Sequence, residues 1–209
     1  MDGLYERYPV LDACRTAIDR AIRLLTDSFT QGGKLLLCGN GGSCADCEHI
    51  VGELMKGFLL RRPLSSRQKA EMKRRSPGLT DAVLDELQCA VPAIALPQAA
   101  ALGTAFANDV APQLVFAQSV MGLGRSGDVL LCLSTSGNAE NCLAAARVAK
   151  GLGLTVIGLT GASGGRLREI ADVCIRAPER ETYKVQELHL PIYHEICRQI
   201  EQHFFGAAG

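Results

Sequence analysis

The chain carries no excess of either charge: its 22 acidic and 22 basic side chains cancel, so no global field draws it to nucleic acid or to an anionic membrane surface. Any site for a polyanion is therefore local. It also lacks an apolar run approaching the roughly 20 residues that a bilayer-spanning helix needs. The amino-terminal stretch, with Met1, Asp2, Gly3, Tyr5, Glu6 and Arg7, lacks the charged, then apolar, then small order of a secretory leader. The expectation is a soluble, cytoplasmic protein with no membrane and no nucleic-acid partner. A disulfide framework is missing as well. The nine cysteines are odd in number and fall singly in strands and helices, as at Cys38, Cys132, Cys174 and Cys197, rather than in turn-rich spacing. Cys44 and Cys47 make one C-x-x-C at a helix start, which suits redox or metal chemistry. No second pair completes a zinc cage, and reduced, partly buried thiols are the other reading.

What is present is a chain of 209 residues, enough for a single domain over 1–209 that buries roughly 70% of its unfolded surface. Apolar residues at helical spacing, among them Leu11, Cys14, Ile18, Ala21, Ile22, Leu25 and Phe29, predict one long amphipathic helix over about 4–30. Strand-length apolar runs follow at 34–38, 93–96, 129–134, 155–160 and 173–177, alternating with helical stretches at about 43–58, 111–121, 139–152, 165–170 and 184–205. Runs without polar alternation imply strands covered on both faces, so the predicted class is α/β with a doubly wound parallel sheet. Residues 60–87 break the rhythm with Arg61, Arg62, Arg67, Lys69, Lys73, Arg74 and Arg75. They read as a basic insertion holding a short exposed helix, either a solvated charged face or a basic flap that meets an anionic substrate or partner.

Two strand-to-helix turns are rich in glycine and hydroxyls: Gly39-Asn40-Gly41-Gly42-Ser43 and Ser134-Thr135-Ser136-Gly137-Asn138. Such turns aim backbone N–H groups and the positive end of a helix dipole at one point, which suits a phosphate. In an open parallel sheet both fall beyond the carboxyl ends of strands, where ligands bind. For the serines, helix capping is the competing role. On the first following helix His49 and Glu53 stand four apart and share a face. That spacing serves two ligands of one metal ion, a base and its neighbour, or an exposed ion pair. The last helix offers Gln186 and His194 on roughly one side, about 12 Å apart along the axis, with Pro191 expected to bend the helix between them. Either that bend matters or the site is shared between subunits. His189 faces elsewhere, and His203 is expected at the surface.

The strand-GNGGS-helix with His49 and Glu53, the Asn108-Asp109 pair, the STSGN turn and the segment TYKVQELHLPIYH together resemble the sugar isomerase (SIS) domain family, in its phosphoheptose isomerase branch. The resemblance covers nearly the whole chain. It implies a three-layer α/β/α sandwich, flavodoxin-like, with a five-stranded parallel sheet, a homotetramer with active sites at subunit contacts, and sedoheptulose 7-phosphate as substrate. It implies one zinc ion held by His49, Glu53, Gln186 and His194, with Glu53 as the base and His194 as the acid. Ser134, Thr135 and Ser136 would grip the phosphate, while Asn40, Gly41, Gly42, Ser43, Asn108, Asp109 and Gln186 would line the sugar. Moving a carbonyl between adjacent carbons needs a base, an acid and a positive group near the enediolate, which those residue types and a metal ion supply. The chain departs from the family pattern at Ala139, where a serine is usual, and at Gly57, where an arginine is common and Lys56 stands beside it. The alternatives are a non-catalytic SIS module that binds a sugar phosphate or a protein partner, and a lyase acting on a phosphorylated amino sugar.

Overall fold

The computed structural model describes residues 3–206, so Met1 and Asp2 of the amino-terminal stretch lie outside it. Five strands, β1 (Leu35–Gly39), β2 (Ala93–Ala95), β3 (Val129–Leu133), β4 (Thr155–Thr160) and β5 (Val173–Arg176), form one sheet. All neighbours are parallel, in the order β2-β1-β3-β4-β5. Every predicted strand is present with its ends moved by at most one residue. The helices are α1 (Leu4–Arg7), α2 (Arg15–Thr30), α3 (Gly42–Met55), α4 (Ser66–Arg75), α5 (Asp81–Glu86), α6 (Ala100–Asp109), α7 (Val115–Leu123), α8 (Glu140–Gly151), α9 (Leu167–Ile170) and α10 (Thr182–Phe205).

The unbroken apolar strands serve two cores because alternate side chains go to opposite faces. Leu35, Leu37, Leu131, Leu133, Ile157 and Leu159 pack with α2, α3 and α10 on one face. Leu36, Cys38, Leu130, Cys132 and Val156 pack with α7 and α8 on the other. The result is the expected three-layer, doubly wound sandwich.

The single amino-terminal helix is a correction. Tyr8 sits at φ −132°, ψ 71° before Pro9, and a 3-10 turn over Pro9–Cys14 separates α1 from α2. The ring of Pro9 excludes the preceding residue from the α conformation and removes a backbone donor. Helix α6 was not predicted at all: it buries no residue, so no amphipathic stripe marks it in the sequence. The basic insertion holds two short helices rather than one. Ser65 caps α4 in a reciprocal pair with Gln68, and exposed pairs Lys69–Asp85 and Lys73–Asp81, each 2.5 Å, tie α4 to α5. Most of this segment is the solvated charged face. Arg62 is the exception, fully buried against Glu201 of α10.

His189 is also fully buried, its Nε2–H donating to Thr160 O at 3.3 Å while Nδ1 has no partner. Burial lowers its pKa from 6.5 to about 4, opposed by that hydrogen bond. The neutral ring is favoured in the fold, so the stability it supports is complete above pH 6.5 and lost as pH falls from 6.5 towards 4, on the order of 3 kcal/mol in all. Urea denaturation at pH 7 and pH 4.5 should show His189→Leu losing less stability on acidification than the wild type. Parallel losses in both proteins would refute this assignment.

Candidate active site

The sheet order reverses between β1 and β3, and their register pairs Cys38 with Cys132 and Gly39 with Leu133. The two strands therefore end level, and the turns after them open side by side at the switch point, where parallel sheets place ligands. A cavity of about 390 Å³ lies there, lined by Asn40, Gly41, Gly42, Ser43, Ser134, Thr135, Ser136, Ala139, Thr182 and Gln186. The turns are locked together by a reciprocal amide pair: Asn40 Nδ2 donates to Asn141 Oδ1 (3.0 Å), and Asn141 Nδ2 donates to Asn40 Oδ1 (2.9 Å). Gly137 has φ +67°, and any Cβ there would also overlap Gly164 O. A Cβ on Gly42 would lie 2.5 Å from Gln186 Nε2, so glycine lets α10 close one wall of the cradle.

Further along α3 and α10 a second cluster forms. His49 Nε2 lies 3.3 Å from Glu53 Oε1 and 3.4 Å from His194 Nε2. The Glu53 side chain is 13% exposed, and its Oε2 is buried without a hydrogen-bond partner; Lys56 Nζ stands 3.7 Å away. Tyr193 donates to Asp46 Oδ1 (3.2 Å), so it accepts from His49 Nδ1–H (2.9 Å). That relay leaves the lone pair of His49 on Nε2, facing Glu53 and His194. Burial and the neighbouring His49 push the pKa of His194 down against the pull of Glu53, so the ring is neutral near pH 7. Burial raises the pKa of Asp46, and burial with Asp46 raises that of Tyr193. The Phe58 ring covers His194 at 5.5 Å between centroids.

Of the residues expected in the site, the structure brings Asn40, Gly41, Gly42, Ser43, Ser134, Thr135, Ser136 and Gln186 to one cavity and His49, Glu53 and His194 to one cluster. Gln186 lies two turns before His194, at Gly42 rather than against the histidines. Asn108 and Asp109 lie outside the cavity, exposed at the end of α6 and hydrogen-bonded to each other. Asn141, Tyr193 and Asp46 were missed; the signals were Asp46 three residues before His49 on one helix, Tyr193 beside His194 and Asn141 just after the second turn. The C-x-x-C pair has no activated thiol: burial, first of all, raises the pKa of both Cys44 and Cys47. His203 is exposed as expected.

The SIS domain family matches residues 9–82 and 87–161. Two curated relatives named phosphoheptose isomerase are similar over almost their full length. That of Akkermansia muciniphila is 32% identical over 204 residues, covering 98% of this chain and 94% of the relative. That of Rhodospirillum rubrum is 38% identical over 191 residues, covering 91% and 88%. The chain belongs to the SIS-domain family, among its phosphoheptose isomerases. The solved phosphoheptose isomerase of Neisseria gonorrhoeae agrees in fold, with a TM-score of 0.75 at 29% identity over 94% of this chain and 91% of that one.

Within this phosphoheptose isomerase fold the two departures have local consequences. Ala139 lines the cradle with no hydroxyl to offer. At Gly57 a Cβ would stand 2.5 Å from Leu60 O, so no arginine fits without moving the loop, and Lys56 Nζ pairs with the Glu53 carboxylate at 3.7 Å.

Proposed function

We infer that the protein is an aldose–ketose isomerase that interconverts sedoheptulose 7-phosphate and D-glycero-D-manno-heptose 7-phosphate by proton transfer through an enediol. The observation that carries this is the placement of an anion cradle and an acid–base cluster on the same pair of helices. Gln186 of α10 meets Gly42 of α3, and His194 meets His49 further along both, so the helices run parallel and the two centres are about 10 Å apart. An extended seven-carbon sugar phosphate spans such a distance, with its phosphate on Ser134, Thr135 and Ser136 and its carbonyl end beside Glu53.

In the reaction Glu53 takes the proton from the carbon next to the carbonyl, its Oε2 having no hydrogen-bond partner and only Lys56 Nζ beside it at 3.7 Å. Neutral His194 delivers and recovers the proton on oxygen. The Asp46–Tyr193–His49 relay holds the His49 ring in place, and the Phe58 ring packs beside His194.

The donors suit zinc. Two imidazole nitrogens and a carboxylate oxygen separated by 3.3 and 3.4 Å match two edges of a tetrahedron with bonds of about 2.0–2.1 Å, roughly 3.4 Å, while among the described residues no three His, Cys, Asp or Glu side chains are placed to hold a metal ion as they stand. His49, Glu53 and His194 would hold the ion, whereas Gln186, the fourth ligand that the resemblance suggests, lies at Gly42 beside the cradle. When bound it would supply Lewis-acid polarisation of the carbonyl. A purely binding module has no need of this cluster.

A homotetramer with subunit-shared sites is part of the proposal. In its favour, α6 buries nothing and exposes Leu102, neighbouring Val110, Met121 and Leu123 are bare as well, and Asn108 and Asp109 stand away from their own cradle. A cytoplasmic location is likewise proposed; no described helix is long and apolar enough to cross a membrane. Metal analysis beside an isomerisation assay on five-, six- and seven-carbon ketose phosphates tests the reading. The seven-carbon ketose should give the highest kcat/KM with zinc bound. Turnover of a shorter ketose in its place would overturn it.

A further inference from the structure

A second cavity, about 570 Å³, opens on the flank of the edge strand β5, between α2 and the turn before α9, and shares no residue with the cradle. Three arginines from three separate elements line it: Arg20 of α2, Arg168 of α9 and Arg176 of β5. None is ion-paired with a carboxylate among the described residues; Arg168 makes one long hydrogen bond, to Ser163 O at 3.3 Å. The one acid on the wall, Asp172, is already engaged. Its Oδ1 is 2.6 Å from Lys150 Nζ, and its Oδ2 accepts from Val156 N at 2.8 Å.

Two of the arginines are held together. A Cβ on Gly164, where φ is +72°, would lie 3.1 Å from both Arg168 Cδ and Arg176 Cδ. The absence of a side chain at Gly164 thus lets both stems pass the same point. Like charges brought this close repel unless something negative lies between them. Guanidinium forks match the oxygens of a phosphate better than any other common anion-binding side chain, and Thr16 adds a hydroxyl to the wall.

We propose that this cavity is a second anion site, which takes a small molecule bearing a phosphate group between Arg20, Arg168 and Arg176. It lies close to the cradle: Gly161 N–H donates to Thr135 O (2.9 Å), and Leu167 N–H donates to Gly137 O (3.0 Å). A test must therefore separate the two sites. Inorganic pyrophosphate, titrated calorimetrically into the full chain, is a suitable probe. In a Ser134→Ala/Ser136→Ala variant, whose cradle is weakened, one binding event per chain should persist. In Arg168→Ser/Arg176→Ser that event should weaken at least tenfold while isomerase turnover is retained, and Arg20→Ser, on a different helix, should weaken it too. All three arginines are exposed, so unchanged thermal melts confirm that these variants are folded. No cradle-independent binding up to about 10 mM, a range that reaches even millimolar sites, would overturn the proposal. So would equal binding in the double arginine variant or in Arg20→Ser.

Discussion

Glu53→Gln should lower kcat by about 10³-fold, within the range that a positioned general base contributes, while leaving sugar-phosphate affinity nearly unchanged. The substitution keeps the size of the side chain and removes its negative charge and its basicity, so metal content is measured beside the kinetics. In the fold, Glu53 Oε2 is sealed from solvent with no hydrogen-bond partner, balanced only by the exposed Lys56 Nζ at 3.7 Å, a costly arrangement for a carboxylate unless function requires it. The cradle residues proposed to grip the phosphate lie at the other end of α3, about 16 Å before Glu53 along the helix axis, so binding and chemistry are separable. Steady-state kinetics with calorimetric binding of the substrate reads both. A variant that retains turnover within tenfold of wild type would remove Glu53 from the role of base.

The second large effect concerns stability. Arg62 and Glu201 form an ion pair at 2.7 Å with side chains 0% and 1% exposed. Glu201 also accepts from the N–H groups of Phe58 (2.8 Å), Leu59 (2.7 Å) and Leu60 (3.1 Å), and Arg62 donates to Leu54 O (2.7 Å) and Glu53 O (3.1 Å). Burial alone would raise the pKa of Glu201, but the Phe58 and Leu59 N–H groups and the guanidinium hold it below the ordinary glutamate value. Removing one partner strands the other charge, so Arg62→Met should cost about 3–5 kcal/mol and lower Tm by roughly 10 °C. Glu201→Leu should cost more, because it also orphans three backbone donors. Thermal and urea unfolding measure both; an Arg62→Met protein melting with the wild type would show the pair to be dispensable. The pair also carries the carbonyl of Glu53 and the loop bearing Phe58, so the stability defect should be accompanied by a loss of kcat.

The contrast between Glu53 and Arg62 shows what a sequence makes legible. The strands were readable because both their faces are buried, which leaves a continuous apolar run. His49 and Glu53 were readable because helical spacing places them together whatever the rest of the chain does. Arg62 looked like one more solvated charge among seven basic residues, since its partner lies 139 positions away and nothing local records the contact. Tyr193, Asp46 and Asn141 stand close in sequence to residues that were read, but each acts by reaching another element. Pro9 was in plain view, but the apolar spacing on either side outweighed it, and α6 offered too little contrast between its faces to be seen at all.

Because α3 and α10 run alongside one another, the interval between the anion end and the proton-transfer end is dictated by helical rise, not by loops. Sliding either group to the next equivalent position changes that interval by about 5.4 Å, more than the length added by several carbons of an extended chain. On this scaffold, preference for a longer or shorter sugar cannot be graded by shifting the anchors; it has to be adjusted through side-chain reach within a gauge of constant size.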